Sequence, residues 1–320
     1  AAELRCVYEN NKINGEYVVL DKVNYSIPFQ ASYGQKYRFE KLPATTDKNI
    51  TGEWDAIFDK DSIGQFNAIG EFQQNGNILS GTFRTETGDF RYLSGEISGN
   101  QLKLSTFDGA HAFLFTGEIN NDEIHGQYYS GKHFTCRWEA KKSDHNHLID
   151  ADSVAKLVRN IPLRFNLQNT EGDWVNLEQP EFKGKGKIIQ ITGTWCPNCR
   201  DETEFLTQYL SEHPATSVEF FSIAFERGSD RMKSLDRIWQ YKKNMKIPYH
   251  VLLGGPVNKD SSSALFPQLD GIKAYPTMLF VNAQNQIVRV HTGFDGPATS
   301  KYSDFKNYFE KSIEIISKPN

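Results

Sequence analysis

Cys196 and Cys199 are separated only by Pro197 and Asn198, a spacing at which two sulfurs can form and break one disulfide. Trp195 stands directly before them, behind the apolar run Ile188-Ile189-Gln190-Ile191-Thr192, a buried-strand pattern. After them, Arg200-Asp201-Glu202-Thr203-Glu204-Phe205-Leu206 reads as a helix with acidic residues in its first turn. A strand feeding a helix sets Cys196 at the helix N-terminus. There, unpaired backbone N–H groups and the positive end of the helix dipole stabilise a thiolate. A free thiol with a pKa of about 8.5 is only a few per cent ionised near pH 7, and thiols of this motif titrate well below that. The pattern reads as a redox dithiol in which Cys196 is the more exposed and more acidic member.

Other chemistries of the same residues fit less well. A structural zinc site needs two further ligands at suitable spacing. Cys6 and Cys136 are solitary and distant, and no second CxxC or HxxxH pair follows. His145 and His147 form an incomplete pair in a polar stretch, so no metal is expected. A peroxidase loop of the form Pro-x-x-x-Thr-x-x-Cys would need proline four residues before Thr192, where Ile188 stands. Dithiol exchange requires no cofactor.

Size and charge narrow the class. At 320 residues, two domains are the default. With 38% hydrophobic and 24% charged residues, the chain has the composition of a soluble globular protein. A net charge of -4 gives no reason to expect nucleic acid as a partner. No run of 18 apolar residues exists, so no transmembrane span is expected. The sequence starts at Ala1-Ala2-Glu3 without a signal segment; for an exported protein, that segment would be absent from this numbering.

Residues 1–140 read as an antiparallel β-domain, closed as a barrel or folded as a sandwich. Short aromatic and β-branched runs such as 52–58, 64–72, 78–83, 92–97, 112–115 and 133–138 recur about every ten residues. Turn signals join them at Asn75-Gly76-Asn77, Gly99-Asn100 and Asn120-Asn121-Asp122. The steps Leu79-Ser80-Gly81, Leu93-Ser94-Gly95 and Ile124-His125-Gly126 suggest successive hairpins. Cys6 and Cys136 begin and nearly end this region. If its first and last strands are neighbours, a disulfide between them is geometrically possible; the alternative is two buried free thiols. Residues 141–154 read as a linker running into a short amphipathic helix, Asp152 to Arg159.

Residues 155–320 alternate strands and helices, an α/β layer pattern. Strands are expected near Arg164–Leu167, Lys187–Thr192, Val218–Ala224, Tyr249–Leu253, Thr277–Asn282 and Ile287–His291. Helices are expected near Pro197–Glu212, Asp230–Asn244, Ser261–Gln268 and Lys301–Ser317. The turn-rich stretch Val290 to Thr299 either caps the last helix, with Thr299 as N-cap, or shapes a partner site.

This second half resembles the thioredoxin superfamily, and within it the TlpA/ResA-like thiol–disulfide oxidoreductases of the bacterial cell envelope. Besides the dithiol, four features carry the resemblance: Gly184-Lys185-Gly186-Lys187 before the strand, Trp195, Glu202, and Tyr275-Pro276-Thr277 with the hairpin to Gly293. The resemblance implies a thioredoxin-like fold, an attacking Cys196, a resolving Cys199 and a cis Pro276. It also implies that Tyr275 offers backbone hydrogen bonds to an extended substrate segment beside Trp195, Pro197 and Asn198. Tyr275 and Trp195 serve equally well as packing at the site rim. Glu202 shares a helix face with Cys199 at i, i+3. It either moves protons and tunes the thiol or is an exposed acid favouring the helix dipole. The chain departs from the family at Glu204, where proline is common, and its extra acids oppose thiolate formation.

The expected function is a thiol–disulfide oxidoreductase of the periplasm or cell envelope. It would act on disulfide-containing protein substrates, in the reducing direction by resemblance, with a membrane-bound electron donor upstream. The alternative is a redox-sensitive binding protein whose β-domain recognises a ligand or partner.

Overall fold

The computed structural model describes residues 2–19, 24–109, 111–143 and 148–318, so His145 and His147 lie outside the described residues. The chain divides into two compact units: residues 1–85 with 90–148, and residues 86–89 with 149–320.

The first unit begins with β1 (Ala2–Glu9), β2 (Lys12–Val19) and β3 (Ser26–Ser32), which form their own antiparallel sheet. The next strands are β4 (Gly52–Phe58), β5 (Phe66–Asn75) and β6 (Ile78–Thr85), followed by a two-residue β7 (Gly88–Asp89) that packs with the second unit. Then come β8 (Leu93–Ser98), β9 (Gln101–Phe107), β10 (Ala112–Asn120), β11 (Glu123–Ser130) and β12 (Phe134–Lys142). Pairing runs β4-β5-β6-β8-β9-β10-β11-β12 and returns to β4, all antiparallel. This closes an eight-stranded barrel and leaves no open edge.

Alternation along each strand sends aromatic side chains inward. Phe58 stacks on Phe66 at 4.7 Å and meets Phe83 edge-on at 5.2 Å. Trp54 and Trp138 are buried with their indole N–H groups bonded to the carbonyls of Ile50 (2.8 Å) and Thr116 (3.0 Å). The Leu/Ile-x-Gly steps mark close approach of neighbouring strands. A Cβ at Gly81, Gly95 or Gly126 would lie 2.1, 1.7 or 2.0 Å from a carbonyl oxygen across the ladder.

The barrel is closed by β4 rather than by the first strand, because β1 pairs in a separate sheet. Cys6 on β1 and Cys136 on β12 are therefore both free, the first exposed and the second buried. Burial pushes the Cys136 thiol up to about 11. Alkylation of the native protein at pH 8 is expected to modify Cys6 within minutes and Cys136 only after unfolding. Rapid modification of Cys136 in the folded state would contradict this packing. β12 runs to Lys142, where Lys141 and Lys142 pair with Asp55 and Trp54. That is two residues into the stretch read as linker.

The second unit holds α1 (Ala151–Val154), β13 (Asn166–Asn169), β14 (Trp174–Asn176), β15 (Lys187–Thr192), α2 (Pro197–Glu212), β16 (Glu219–Glu226), α3 (Arg231–Met245) and β17 (His250–Pro256). It ends with α4 (Lys259–Leu265), β18 (Thr277–Val281), β19 (Ile287–Thr292) and α5 (Tyr302–Ile316). The sheet order is β14-β13-β17-β16-β15-β18-β19, with β15, β16 and β17 parallel and the outer pairs antiparallel. β15 lies between β16 and β18 and is buried throughout. Ile189 and Ile191 enter the core on one face, with Phe266 and Leu279. Ile188 faces the other, under Leu206 of α2 and Phe309 of α5. Among the described residues no helix is long and apolar enough to cross a membrane.

Local expectations fail where tertiary pairing wins. The helix expected over Asp152–Arg159 stops at Val154, and Ala155 is extended. The next residues are drawn onto the loop after α4. Lys156 N–H bonds the Asp270 side chain at 2.9 Å, Val158 N–H bonds Gln268 O at 2.7 Å, and Leu157 bridges Leu269. Thr299 does not cap α5: its hydroxyl and N–H both donate to Gly296 O, and the cap residue is Lys301, without a side-chain bond. The strand placed at Arg164–Leu167 begins at Asn166, and its three-residue partner β14 is too short to show alternation in sequence.

Candidate active site

The turn from β15 into α2 is held from outside by the end of β16. Thr194 gives both its N–H and its hydroxyl to the Glu226 carboxylate, each at 2.8 Å. The Trp195 indole N–H donates to Phe225 O at 2.9 Å, and the Arg227 guanidinium lies 4.8 Å from the Trp195 ring centre. Gly193 is required by this approach, since a Cβ there would stand 2.4 Å from the indole nitrogen. Two hydrogen bonds to one buried carboxylate, each worth more than a neutral pair, make a rigid entrance to the dithiol.

Cys196 is the N-cap of α2, with extended backbone, and Pro197 takes the first helical position, where its missing N–H costs nothing. The Cys199 N–H points at Cys196 Sγ at 3.2 Å. The two sulfurs are bonded as a disulfide, with the Cα atoms 5.3 Å apart. Cys196 is 7% exposed and Cys199 is fully buried, so only the first sulfur is reachable from outside.

The Tyr275–Pro276 bond is cis, and the Tyr275 carbonyl oxygen lies 3.5 Å from Cys196 Sγ. The bond from Gly293 N–H to Pro276 O, 2.8 Å, pins this loop to the end of β19. Tyr275 and Trp195 meet edge-on at 5.5 Å, so both rings pack at the rim of the sulfur site. Asn198 is half-buried. Its carboxamide, oriented for bonding, donates to Asp89 O at 2.8 Å and accepts from Asp89 N–H at 3.3 Å. Asp89 in turn accepts from Gly296 N–H at 2.7 Å, within the same unit.

Glu202 corrects a reading of the sequence. Because α2 starts at Pro197, Asp201 and Glu202 fall beyond its first turn. Glu202 points inward rather than to solvent: it is 0% exposed, and neither carboxyl oxygen has a hydrogen-bond partner. Burial pushes its carboxyl up to about 8, with the Gln190 amide pulling in the opposite direction. Glu204 is exposed and lies 3.3 Å from Arg200, a pair worth little in water.

The sites named from the sequence thus gather around one sulfur: Trp195, Pro197, Asn198, Tyr275 and Pro276 at the rim, with Cys199 and Glu202 beneath. Glu226 and Gln190 were not singled out. The available signals were an acid at the end of the apolar run Phe220 to Phe225 and an amide inside Ile188 to Ile191.

The Redoxin family profile matches residues 156–308. The thiol-disulfide oxidoreductase ResA of Halalkalibacterium halodurans is 27% identical over 132 residues, 41% of this chain and 66% of that protein. ResA of Bacillus subtilis is 24% identical over 129 residues, 40% of this chain and 64% of that protein. The chain spans just under two thirds of the length of these curated relatives. Among solved structures, a thioredoxin family thiol:disulfide interchange protein from Chlorobium tepidum TLS aligns with a TM-score of 0.38 and 22% identity, over 50% of this chain and 99% of that one. StoA from Bacillus subtilis aligns with a TM-score of 0.35 and 20% identity, over 47% and 99%. With a dithiol capping a helix beside a buried acid and the Tyr275-Pro276 loop, and with the matched region lying inside the second unit, that unit is a TlpA/ResA-like member of the thioredoxin superfamily.

Proposed function

We propose that the chain is a thiol–disulfide oxidoreductase that reduces disulfides in protein substrates outside the cytoplasm. The observation that carries this reading is the Cys196–Cys199 disulfide at the start of α2, reachable at Cys196 only and underlain by a fully buried Glu202. In the reduced protein the Cys196 thiolate attacks a substrate disulfide. A Cys196–substrate bond forms, and one substrate sulfur leaves as a thiolate. Cys199 then attacks Cys196 Sγ, closing the Cys196–Cys199 disulfide and releasing the second substrate thiolate. Two electrons pass from the dithiol to the substrate, and an upstream membrane-bound donor returns them.

Glu202 lies one turn beyond Cys199 on the same helix. As a carboxylate it takes the Cys199 proton during resolution; raised toward neutrality, it releases that proton again near physiological pH. The Tyr275 carbonyl presents a backbone acceptor beside Cys196, which suits an extended polypeptide.

Reduction of a disulfide-bonded protein such as insulin by the chemically reduced chain tests the proposal. Multiple turnover with a dithiol donor is expected, with a Cys196/Cys199 potential at the reducing end of the thioredoxin-fold range, roughly −250 mV or below. A potential near −120 mV would reverse the assigned direction. Absence of turnover, with binding of a partner that depends on the redox state, would favour a redox-sensitive binding protein.

A further inference from the structure

Residues Glu86–Asp89, between β6 and β8, belong to the second unit. Gly88 and Asp89 are buried there, although the stretch Thr85-Glu86-Thr87-Gly88-Asp89 carries no apolar side chain. Buried backbone and carboxyl groups must find partners, and those partners show what the segment lies on. The Asn198 carboxamide donates to Asp89 O at 2.8 Å and accepts from Asp89 N–H at 3.3 Å, the pair of bonds a neighbouring strand would make. The Asp89 side chain accepts from Gly296 N–H at 2.7 Å, and a carboxylate acceptor makes a strong bond of this kind.

The fit is close at two glycines. Gly88 has φ +135°, and a Cβ there would stand 2.0 Å from the Asn198 carboxamide. A Cβ at Gly293 would lie 2.7 Å from the Thr87 carbonyl carbon. Gly293 N–H in turn bonds Pro276 O. The segment is therefore seated on the residue two beyond Cys196 and on the glycine that pins the cis-proline loop. A side-chain amide that takes both main-chain groups of one residue grips any extended polypeptide. The missing room at Gly88 and the free-standing N–H of Gly296 add a preference for a small residue followed by an acid. Here this chain's own residues already fill those groups. A protein substrate that uses them binds with an apparent affinity lowered by the fraction of molecules in which the segment is released. A small disulfide needs none of them.

We propose that Glu86–Asp89 is a resident occupant of a polypeptide-binding surface beside Cys196, held by Asn198 and Gly296, and that protein substrates displace it with an extended segment of the same kind. This rests on the reading of the chain as an oxidoreductase of protein disulfides and adds a gate to it. The gate lowers reactivity toward proteins while leaving the chemistry of the Cys196 sulfur unchanged.

Reduced full-length chains in a Cys6→Ser background test this with two disulfides, insulin and 5,5′-dithiobis(2-nitrobenzoate). Gly88→Val sets a β-branched side chain at positive φ against Asn198, and Asp89→Ala removes the bond from Gly296. Each is expected to raise the second-order rate constant with insulin about tenfold, the scale of one lost carboxylate bond. The rate with the small disulfide should change less than about twofold, because the sulfur itself is untouched. In chains that reduce insulin, no gain, or equal gains with both disulfides, would overturn the proposal. Should Gly88→Val fail to fold, Asp89→Ala decides alone. A measurement without turnover separates the gate from the oxidoreductase reading. Occupancy of about nine in ten at a local concentration of a few millimolar corresponds to a Kd below about 1 mM for the segment as a free peptide. By calorimetry, a capped peptide of residues 85–90 should bind the oxidised Asp89→Ala chain in that range. The same peptide carrying Asp89→Ala should bind about fivefold more weakly or worse. Absent binding, or binding indifferent to that change, sinks the proposal whatever the chain does to insulin. Selective peptide binding with no insulin reduction by any of the three proteins sinks the oxidoreductase reading and leaves the occupied surface standing.

Discussion

Cys196→Ser will lose disulfide exchange by more than about 10³-fold, while Cys199→Ser will still attack substrate and stall as a mixed disulfide. Losses of this size are ordinary when a covalent nucleophile is removed. The asymmetry follows from placement. Cys196 caps α2, receives the Cys199 N–H at 3.2 Å and is the more accessible member of the pair. Cys199 lies inside the first turn at 0% exposure, so an external disulfide cannot reach it. Cys6, an exposed free thiol, would confuse trapping experiments, and both variants belong in a Cys6→Ser background. Mass spectrometry of Cys199→Ser after exposure to a disulfide-bonded protein is expected to find substrate joined to Cys196. Substrate captured by Cys196→Ser through Cys199 would reverse the two roles.

The second large effect concerns pH and stability. The Glu202 carboxyl, ordinarily near 4.5, is pushed up to about 8 by burial. Between those values the native protein holds a proton that the unfolded chain has released. Stability therefore falls as pH rises across this window and levels off above it. The acid imposes no penalty below about 4.5 and its full penalty above about 8. At 1.36 kcal/mol per unit, the loss from pH 5 to pH 8 is about 4 kcal/mol for the oxidised protein. Glu202→Gln removes the titration, so the difference in unfolding free energy between the two proteins should move by that amount in favour of the variant. Urea melts at pH 5, 6.5 and 8 measure it. Parallel curves with a pH-independent difference would place the Glu202 carboxyl in contact with water. A large natural cost of this kind is kept only where the acid has work to do, in line with the stability that proteins give up at reactive sites.

The motif, the strand before it and the helix after it were legible because each depends on neighbours in sequence. Ile188 to Thr192 is apolar over a strand's length, and Pro197 can start a helix but not continue a strand. The eight-stranded barrel was readable as a set of hairpins from turn residues. Asn75-Gly76, Gly99-Asn100 and Asn121 supply the left-handed backbone that such turns need. Its closure was not readable, because the pairing of β4 with β12 joins residues about eighty positions apart. Nothing local tells β1, with Cys6, to stay out of the barrel.

At the site the division is the same. Residue type and spacing determined that Cys196 and Cys199 form a dithiol at a helix start, and the resemblance supplied Tyr275 and Pro276 as its neighbours. Only the tertiary structure decided which way Glu202 faces, since a helix position one turn from Cys199 can point to solvent or to the core. It points to the core because α2 lies across β15 and β16, which removes water from that face and turns a surface acid into one held near neutrality. The same burial selects Gln190 and Glu226, two polar residues that read in sequence as interruptions of apolar strands. A buried amide or carboxylate acquires its meaning from the groups that satisfy it, and those groups come together only when the strands and helix have packed.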